Sequence, residues 1–211
     1  MKPVRALAIA SLSLLASAAL AQAAPATYKI DPNHSDVAFS IRHLFSDVQG
    51  RFKTYEGEIT VDPDDLSKTQ VRVSIDAASI YTGVENRDKD LVGPHFFDAA
   101  KFPKMTFVST EVVPTGPHKA TVKGNLTMKG VTKPVSLEAE TLGFGKDPWG
   151  NYRGGFKART TVNRQDFGVS WNKVLEGGGT LLGDEVEVTL NVEAVREAPK
   201  EAPKEAPSGK N

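Results

Sequence analysis

Cysteine is absent from the 211-residue chain, so no disulfide supports the fold and no thiol can carry a lipid anchor. Charge of one sign is not in excess either, because 26 lysines and arginines balance 26 aspartates and glutamates. A chain without a basic excess has no electrostatic basis for binding nucleic acid. We therefore expect no nucleic-acid partner and a fold that depends on packing alone. With 39% hydrophobic residues, the chain suits one domain with a substantial core.

Catalytic sequence signatures are missing as well. Residues 168–172 (GVSWN) lack the closing glycine of a nucleophile elbow. The glycines of residues 178–183 have the spacing of a phosphate-binding loop, but Asp184 follows where that loop needs lysine. The four histidines form no HExxH or similar zinc-binding pair. The sequence therefore predicts a protein that is not an enzyme and needs no cofactor.

One loop offers nitrogen and oxygen ligands for a metal ion. Asp31, His34 and Asp36 are close enough in sequence to gather a cation, which makes a metal-dependent enzyme a third hypothesis for the function. The stretch Asp-Pro-Asn-His-Ser is also ordinary chemistry for a turn that enters a strand. We expect the turn, and we predict folding without a metal.

The first 23 residues differ in composition from the rest of the chain. Lys2 and Arg5 precede an apolar run over residues 6–20, and small residues follow at Ala21 and Ala23. This order is typical of a secretory signal peptide, and the run is shorter than the roughly 20 residues of a membrane anchor. We therefore expect cleavage near Ala21 or Ala23 and an exported, soluble mature protein.

The last residues, 196–211, repeat Glu-Ala-Pro with lysine or serine in between. Proline in every repeat and the lack of large apolar side chains leave almost no surface to bury, so we predict an extended, solvated tail. The folded domain is thereby placed at residues 24–195.

Alternation of apolar and polar residues dominates this domain. The clearest example is EVEVTLNVEAV, in which Val186, Val188 and Leu190 alternate with polar residues. Similar segments lie near residues 37–45, 52–62, 71–75, 104–113, 121–129, 134–140 and 155–164, separated by turn-forming residues. Strands with one buried face at hairpin spacing favour antiparallel pairing. The pattern predicts an all-β fold of about eight strands, as a closed barrel or a sandwich.

The segment of residues 80–103 interrupts the alternation. Residues 84–92 suit a short helix, which Gly93 and the following proline would end. A connection of this length in a compact domain is typical of a cap or lid, and it is equally compatible with a packed loop held down by its phenylalanines. The sequence alone leaves both alternatives open.

Two polar residues extend apolar rows at strand ends. His43 follows Phe39 and Ile41 in one row, and Arg164 extends the row of a later strand. In a filled core, a charge at such a position costs several kcal/mol unless it is paired. At the mouth of a hollow barrel, the same side chain can meet a ligand headgroup. The alternatives are headgroup contacts, or an Arg164 paired with Asp166 and a His43 bonded to a loop carbonyl.

Five blocks of sequence occur in a fixed order across residues 27–195: YKIDPNHSDVAFSIRHLFSDVQGRF, VSIDAASIYTGVENRDKDL, HFFDAAKFPKMTF, GNLTMKGVTKPVSLEAE and NRQDFG. Together they resemble the YceI-like family of periplasmic polyisoprenoid-binding proteins. The resemblance implies a lipocalin-like antiparallel barrel with a short helical insert. It also implies an elongated apolar pocket for an isoprenoid or another long-chain amphiphile, without catalysis.

The resemblance extends to individual positions. His43 falls on the family's His-Leu position, Arg87 and Asp88 on its Arg-Asp pair, and residues 166–168 on its Asp-Phe-Gly. In one place the sequence departs from the family pattern, because Asp90 stands where a histidine is common. A role tied to that histidine does not carry over, unless the nearby His95 replaces it.

Our first hypothesis is a non-catalytic periplasmic protein that carries or sequesters a polyisoprenoid, an isoprenoid quinone or a fatty-acid-like amphiphile inside the barrel. Each buried methylene contributes about 0.8 kcal/mol, so a long pocket can bind by area alone. Transient contact with an envelope membrane is then expected. The alternative is a cell-envelope module with a filled core that binds protein or glycan. The residues expected to contact the ligand are His43, Phe39, Ile41, Phe45, Arg164, Phe156, Val162, Phe97, Phe107, Leu126 and Met128.

Overall fold

The computed structural model describes residues 25–62 and 65–198. The predicted signal peptide and most of the predicted tail lie outside these residues. Within them, no helix is long and apolar enough to cross a membrane. The elements are β1 (Ala26–Ile30), β2 (Asp36–His43), β3 (Ser46–Phe52), β4 (Tyr55–Val61), β5 (Gln70–Asp76), β6 (Ile80–Tyr81), α1 (Glu85–Val92), β7 (Lys104–Gly116), β8 (Lys119–Met128), β9 (Val131–Lys146), β10 (Tyr152–Asn163) and β11 (Leu182–Arg196).

The strands form one closed antiparallel sheet. Three pairs of strands are each one long strand with a short break, namely β1 with β2, β3 with β4, and β5 with β6. With β7 to β11 these make eight strands, each paired to the next, and the β1–β11 pairing closes the ring. Closure leaves no long sheet edge unpaired. The prediction of an eight-stranded antiparallel barrel is confirmed.

The alternation in sequence becomes the inside and outside of the barrel wall. In β11, Val186 lies opposite Ile41 of β2, and Val188 lies opposite Phe39, all on the inner face. Their sequence neighbours Glu187 and Thr189 lie on the other face, because successive side chains in a strand point to opposite sides.

The first predicted strand is shorter than expected. The chain reverses after His43, and β3 returns along β2 with Ser46 opposite His43. Leu44 has a φ of 51°, in the left-handed region, so the alternation ends there. Phe45 is consequently 100% exposed at the turn. Its predicted place in the inner apolar row is wrong.

The two ends of the barrel differ in the segments that cover them. We call one the insert end, which carries the β2–β3 turn, residues 82–103 and residues 164–181. The opposite one is the hairpin end, which carries the β7–β8 and β9–β10 turns. The predicted helix is confirmed at the insert end, where α1 begins at Glu85 after Val84 and ends at Gly93.

The insert covers its end of the barrel with aromatic side chains. Phe96 packs against Trp171 with ring centroids 5.3 Å apart, and Phe97 packs edge-on against Phe52 at 5.8 Å. Such aromatic pairs add about 0.5–1.5 kcal/mol each beyond the burial of their area. The insert is therefore both packed through its phenylalanines and placed as a cap, which joins the two alternatives that the sequence left open.

Aromatic packing also narrows the hairpin end. Tyr28 lies 5.3 Å from Phe144 and 6.3 Å from Phe156, measured between ring centroids. A β-bulge between Gly155 and Phe156 lets the long β9–β10 hairpin bend, as bulged strands do.

The domain ends slightly later than predicted. Arg196 still pairs with Tyr28, and the backbone N–H of Glu197 donates to the carbonyl of Thr27 at 2.8 Å. Residues 196 and 197 therefore belong to the barrel wall rather than to a free tail, because the chain still has β1 as a hydrogen-bonding partner there.

Candidate functional site

An elongated cavity of about 460 Å³ lies inside the barrel and is bordered by residues of both ends. Inward-facing apolar side chains such as Phe39, Val73, Leu126 and Val188 are only half-buried, although they point into the interior. In a close-packed core such residues would be fully buried. The interior is hollow, and the filled core that the alternative hypothesis requires is not what this fold has.

Nearly all of the predicted ligand contacts border this cavity. The exception is Phe45, which the turn after β2 directs into solvent. The cavity is bordered by Phe39, Ile41, His43, Phe97, Phe107, Leu126, Met128, Phe156, Val162 and Arg164.

Two phenylalanine rings of the wall lie across glycines of neighbouring strands. A Cβ atom at Gly50 would lie 2.3 Å from the ring of Phe39, and one at Gly124 would lie 2.4 Å from the ring of Phe107. Only glycine allows so close an approach. The rings therefore lie flat along the wall and leave the centre of the barrel free.

His43 ends β2 at the insert end and borders the cavity. It is half-buried, and within residues 25–62 and 65–198 its imidazole makes no hydrogen bond. The expected bond from His43 to a loop carbonyl is therefore not formed. The ring nitrogens offer a donor and an acceptor to whatever occupies that part of the cavity.

Arg164 borders the same end but is held by the protein itself. It is 4% exposed, and Nη1 donates to the carbonyls of Val169 at 2.6 Å and Trp171 at 2.9 Å. Nε donates to the carbonyl of Gly183 at 2.8 Å, and Nη2 reaches the carboxylate of Asp184 at 3.3 Å. Burial lowers the pKa of Arg164 while Asp184 opposes that shift.

These contacts correct the prediction for Arg164. The expected partner Asp166 is replaced by Asp184, because the chain after β10 loops back and presents its carbonyls to the guanidinium. With four hydrogen bonds to the protein, Arg164 braces residues 164–184 and has little capacity left for a headgroup.

The inner face of α1 contributes cavity residues that were not among the predicted ligand contacts. Arg87, Asp90 and Leu91 all border the cavity. Residues three and four positions apart lie on one face of a helix, so this spacing was the signal that could have found them. The insert therefore brings charged groups as well as apolar ones to its end of the cavity.

Arg87 is held in place by a small network at the start of the insert. Its Nε donates to Oγ1 of Thr82 at 2.7 Å, and its Nη2 donates to the carbonyl of Thr82 at 2.9 Å. Asp88 in turn accepts from the backbone N–H of Thr82 at 2.8 Å. In the described part of the chain, Nη1 of Arg87 has no hydrogen-bond acceptor.

The hairpin end of the cavity is bordered by polar groups too. His118, Glu140, Thr141 and Lys157 lie there, and Glu140 is the cross-strand neighbour of Lys157. Apart from the half-buried Thr141, these residues are exposed. The charged side chains that border the cavity thus lie at its two ends, while its middle is mostly apolar and the hydroxyls of Tyr55 and Thr160 there are bonded to backbone carbonyls.

The possible metal ligands form a different group from the predicted one. Asp31, His34 and Glu193 lie together, with candidate ligand atoms within 4.8 Å of one another. Nη1 of Arg153 already contacts Asp31 at 2.8 Å and Glu193 at 2.7 Å. Asp36 is not part of the group, because it pairs with Arg51 at 3.5 Å.

The positive charge at this group is therefore a guanidinium. Hydrogen bonds lower the pKa of Asp31 to about 2, and the largest contribution comes from Arg153 and the next largest from His34. The same arginine lowers the pKa of Asp147 to about 2, with help from Asn151. The group ties β1, β10, β11 and the β9–β10 turn together at the outside of the barrel.

A closed antiparallel barrel with a hollow apolar interior and an insert over one end is the architecture of lipocalin-like proteins. A family model described as the YceI-like domain matches residues 28–194. A UPF0312 protein of Pseudomonas paraeruginosa is 41% identical over 199 residues, which cover 93% of this chain and 98% of that protein. The chain belongs to the YceI-like family.

Solved structures have the same fold. BcnA of Burkholderia cenocepacia matches with a TM-score of 0.70 and 25% identity, over 78% of this chain and 99% of BcnA. A polyisoprenoid binding domain from Saccharophagus degradans, implicated in plant cell wall breakdown, matches with a TM-score of 0.58 over 81% of this chain and 98% of that domain. Because its identity is 15%, the second likeness shows the fold alone.

Proposed function

We propose that this protein binds a long-chain apolar ligand, an isoprenoid or similar amphiphile, inside the barrel and carries or sequesters it without chemical change. The observation that carries the proposal is the cavity of about 460 Å³ lined by half-buried apolar side chains. Cavities that bind small molecules typically measure about 300–1,000 Å³. Each methylene placed there contributes about 0.8 kcal/mol, so a long chain can bind without many polar contacts.

Two further observations support the proposal. The chain belongs to the YceI-like family and shares its barrel fold with BcnA. The Saccharophagus degradans protein of the same fold is a polyisoprenoid binding domain. A non-catalytic role is consistent with the cavity, whose charged side chains lie at its ends and not along its middle.

We further propose that the protein acts in the periplasm, on the composition of residues 1–23. These residues lie outside the described part of the chain, so the proposal rests on sequence alone. N-terminal sequencing of periplasmic protein should find the chain beginning after Ala21 or Ala23. An intact Met1 or Lys2 in that material would contradict it.

Solvent extraction of the purified protein followed by mass spectrometry should identify a long-chain lipid. A substitution inside the barrel then tests where the lipid binds. Ala158 faces the cavity from β10, between Ala139 and Leu190 of the neighbouring strands. Ala158→Phe should displace about three to four methylenes and weaken binding of a long-chain probe about 100-fold.

The same variant tests whether the interior is hollow. A ring added to a hollow barrel should leave the free energy of unfolding within about 1 kcal/mol, whereas overpacking a filled core costs about 1–3 kcal/mol. Thr161→Phe, on the exposed face of the same strand, is the control and should change neither quantity. Lost stability with unchanged probe affinity would contradict the proposed function.

A further inference from the structure

The polar side chains that border the cavity at the insert end differ in charge. His43, Arg87 and Asp90 border the cavity there, which gives one imidazole, one cation and one anion. Arg164 does not add to this set, because its guanidinium is engaged by carbonyls and Asp184. The available charges at this end therefore sum to about zero when the imidazole is neutral.

Arg87 is oriented before any ligand arrives. Its Nε and Nη2 are both held by Thr82, and Thr82 is itself held by Asp88. Nη1 keeps its hydrogens free within the described chain, so an acceptor atom in the cavity mouth can use them. A side chain fixed in this way loses little entropy when it binds.

Asp90 is the counterpart of Arg87 on the same face of α1, three residues further along. Its side chain is exposed at the cavity mouth, and in residues 25–62 and 65–198 its carboxylate has no hydrogen bond or ion pair. A free carboxylate accepts hydrogen bonds and repels a second anion. A ligand group at this place must therefore accept from Arg87 and donate to Asp90, and it should not carry a negative charge.

We propose that the insert end selects ligands whose polar end is an uncharged hydroxyl, held between Arg87 and Asp90 with His43 beside it. This inference rests on the proposed function, and it adds the class of headgroup. A hydroxyl donates one hydrogen bond and accepts others, as the two side chains require. A phosphate monoester of the same chain carries about 1.5 to 2 negative charges, so repulsion from Asp90 offsets its attraction to Arg87 and the cost of removing it from water is not recovered.

The insert end is favoured over the hairpin end as the headgroup site. At the hairpin end, Glu140 and Lys157 are cross-strand neighbours on an exposed surface, and the cluster of Tyr28, Phe144 and Phe156 narrows the space behind them. The polar residues that border the cavity at the hairpin end are His118, Glu140, Thr141 and Lys157. None of their side chains is held by hydrogen bonds in the way that Thr82 holds Arg87.

The test compares geranylgeraniol with geranylgeranyl phosphate, which share one chain and differ in the headgroup. Both compete for the cavity against the fluorescent apolar probe N-phenyl-1-naphthylamine, below the concentration at which they form micelles. The wild-type protein should bind the alcohol at least about tenfold more tightly than the phosphate. Asp90→Asn removes the repelling charge and should reduce this ratio about tenfold.

Two control variants make the same change of charge elsewhere. Glu85→Gln lies on the same helix, where Glu85 pairs with Lys89 at 2.6 Å and does not border the cavity. Glu140→Gln lies at the opposite end of the cavity. Both should leave the ratio within about twofold, because Glu85 does not border the cavity and Glu140 lies more than a screening length from the insert end.

Several results would overturn the inference. Tighter binding of the phosphate by the wild type would do so, as would an effect of Asp90→Asn no larger than that of Glu85→Gln. A changed ratio in Glu140→Gln alone would place the headgroup at the hairpin end. If neither competitor nor the hydrocarbon squalene displaces the probe, the proposed function fails as well. If squalene displaces the probe and Asp90→Asn leaves the ratio of the two affinities unchanged, only the headgroup inference fails.

Discussion

Replacing Arg164 with methionine should destabilise the barrel rather than change what it binds. Methionine keeps the length of the side chain but removes the donors to Val169, Trp171 and Gly183. Each buried acceptor left without a partner costs about 1–3 kcal/mol, and water can reach some of them. We therefore expect Arg164→Met to lower the free energy of unfolding by about 3–5 kcal/mol, the range found for breaking buried charge pairs.

Denaturant unfolding measures this loss as a lower midpoint, provided that the slope of the free energy of unfolding against denaturant concentration stays the same. The control is Arg159→Met on the same strand, because Arg159 pairs with Glu138 at 2.6 Å but its side chain is 76% exposed. An exposed pair contributes about 0–1 kcal/mol, so the control should change little. Folded Arg164→Met should bind amphiphiles within about threefold of the wild type. Wild-type stability combined with lost amphiphile binding would refute the bracing role.

Three further predictions concern other parts of the chain. His43→Leu should keep the affinity for an apolar probe and weaken binding of a matched amphiphile about tenfold, since one hydrogen bond contributes about 0.5–1.5 kcal/mol; lower stability with unchanged selectivity would contradict this. Because Arg153 lowers the pKa of Asp31 to about 2, the stabilisation is present above the ordinary value of 3.8 and is lost as the pH falls towards 2. Urea titrations of Arg153→Met should show a loss at pH 7 that shrinks below pH 3, and a loss independent of pH would contradict the linkage. Deleting residues 199–211 should leave the melting temperature unchanged, while a deletion that begins at Arg196 should lower it.

The sequence predicted the wall of the barrel well because each strand carries its own periodicity. Val186, Val188 and Leu190 alternate regardless of what they face, so the strands and their inner faces could be found locally. The turn at Leu44 was missed because a single left-handed residue leaves no periodic signal. As a result, Phe45 was assigned to the wrong side.

The partners of charged residues could not be predicted in the same way. Arg164 is held by carbonyls 5 to 19 residues away in the chain, and carbonyls are present at every position of every sequence. The sequence therefore contained no sign of Asp184 as its partner, whereas Asp166 was expected because it lies two residues from Arg164 in the chain. The hollowness of the interior was equally hidden, because a packed sandwich and an empty barrel have the same period-2 pattern.

A cavity of this size has a consequence for stability. A long-chain ligand would remove the apolar lining of the cavity from water, and each methylene that it buries there contributes about 0.8 kcal/mol. The barrel therefore gains from an occupant, and a ligand present at 1,000 times its dissociation constant would add about 4 kcal/mol.

Solvent-extracted protein should consequently melt at a lower temperature than the same protein reloaded with geranylgeraniol. For a domain of this size, 1 kcal/mol corresponds to about 2–4 °C, so a difference of about 8–16 °C is expected at saturation. Ala158→Phe fills part of the cavity and weakens ligand binding, so its two forms should differ much less. Equal melting temperatures for extracted and reloaded wild type would mean that the ligand does not bind inside the folded barrel, because any molecule that binds only the native state must stabilise it.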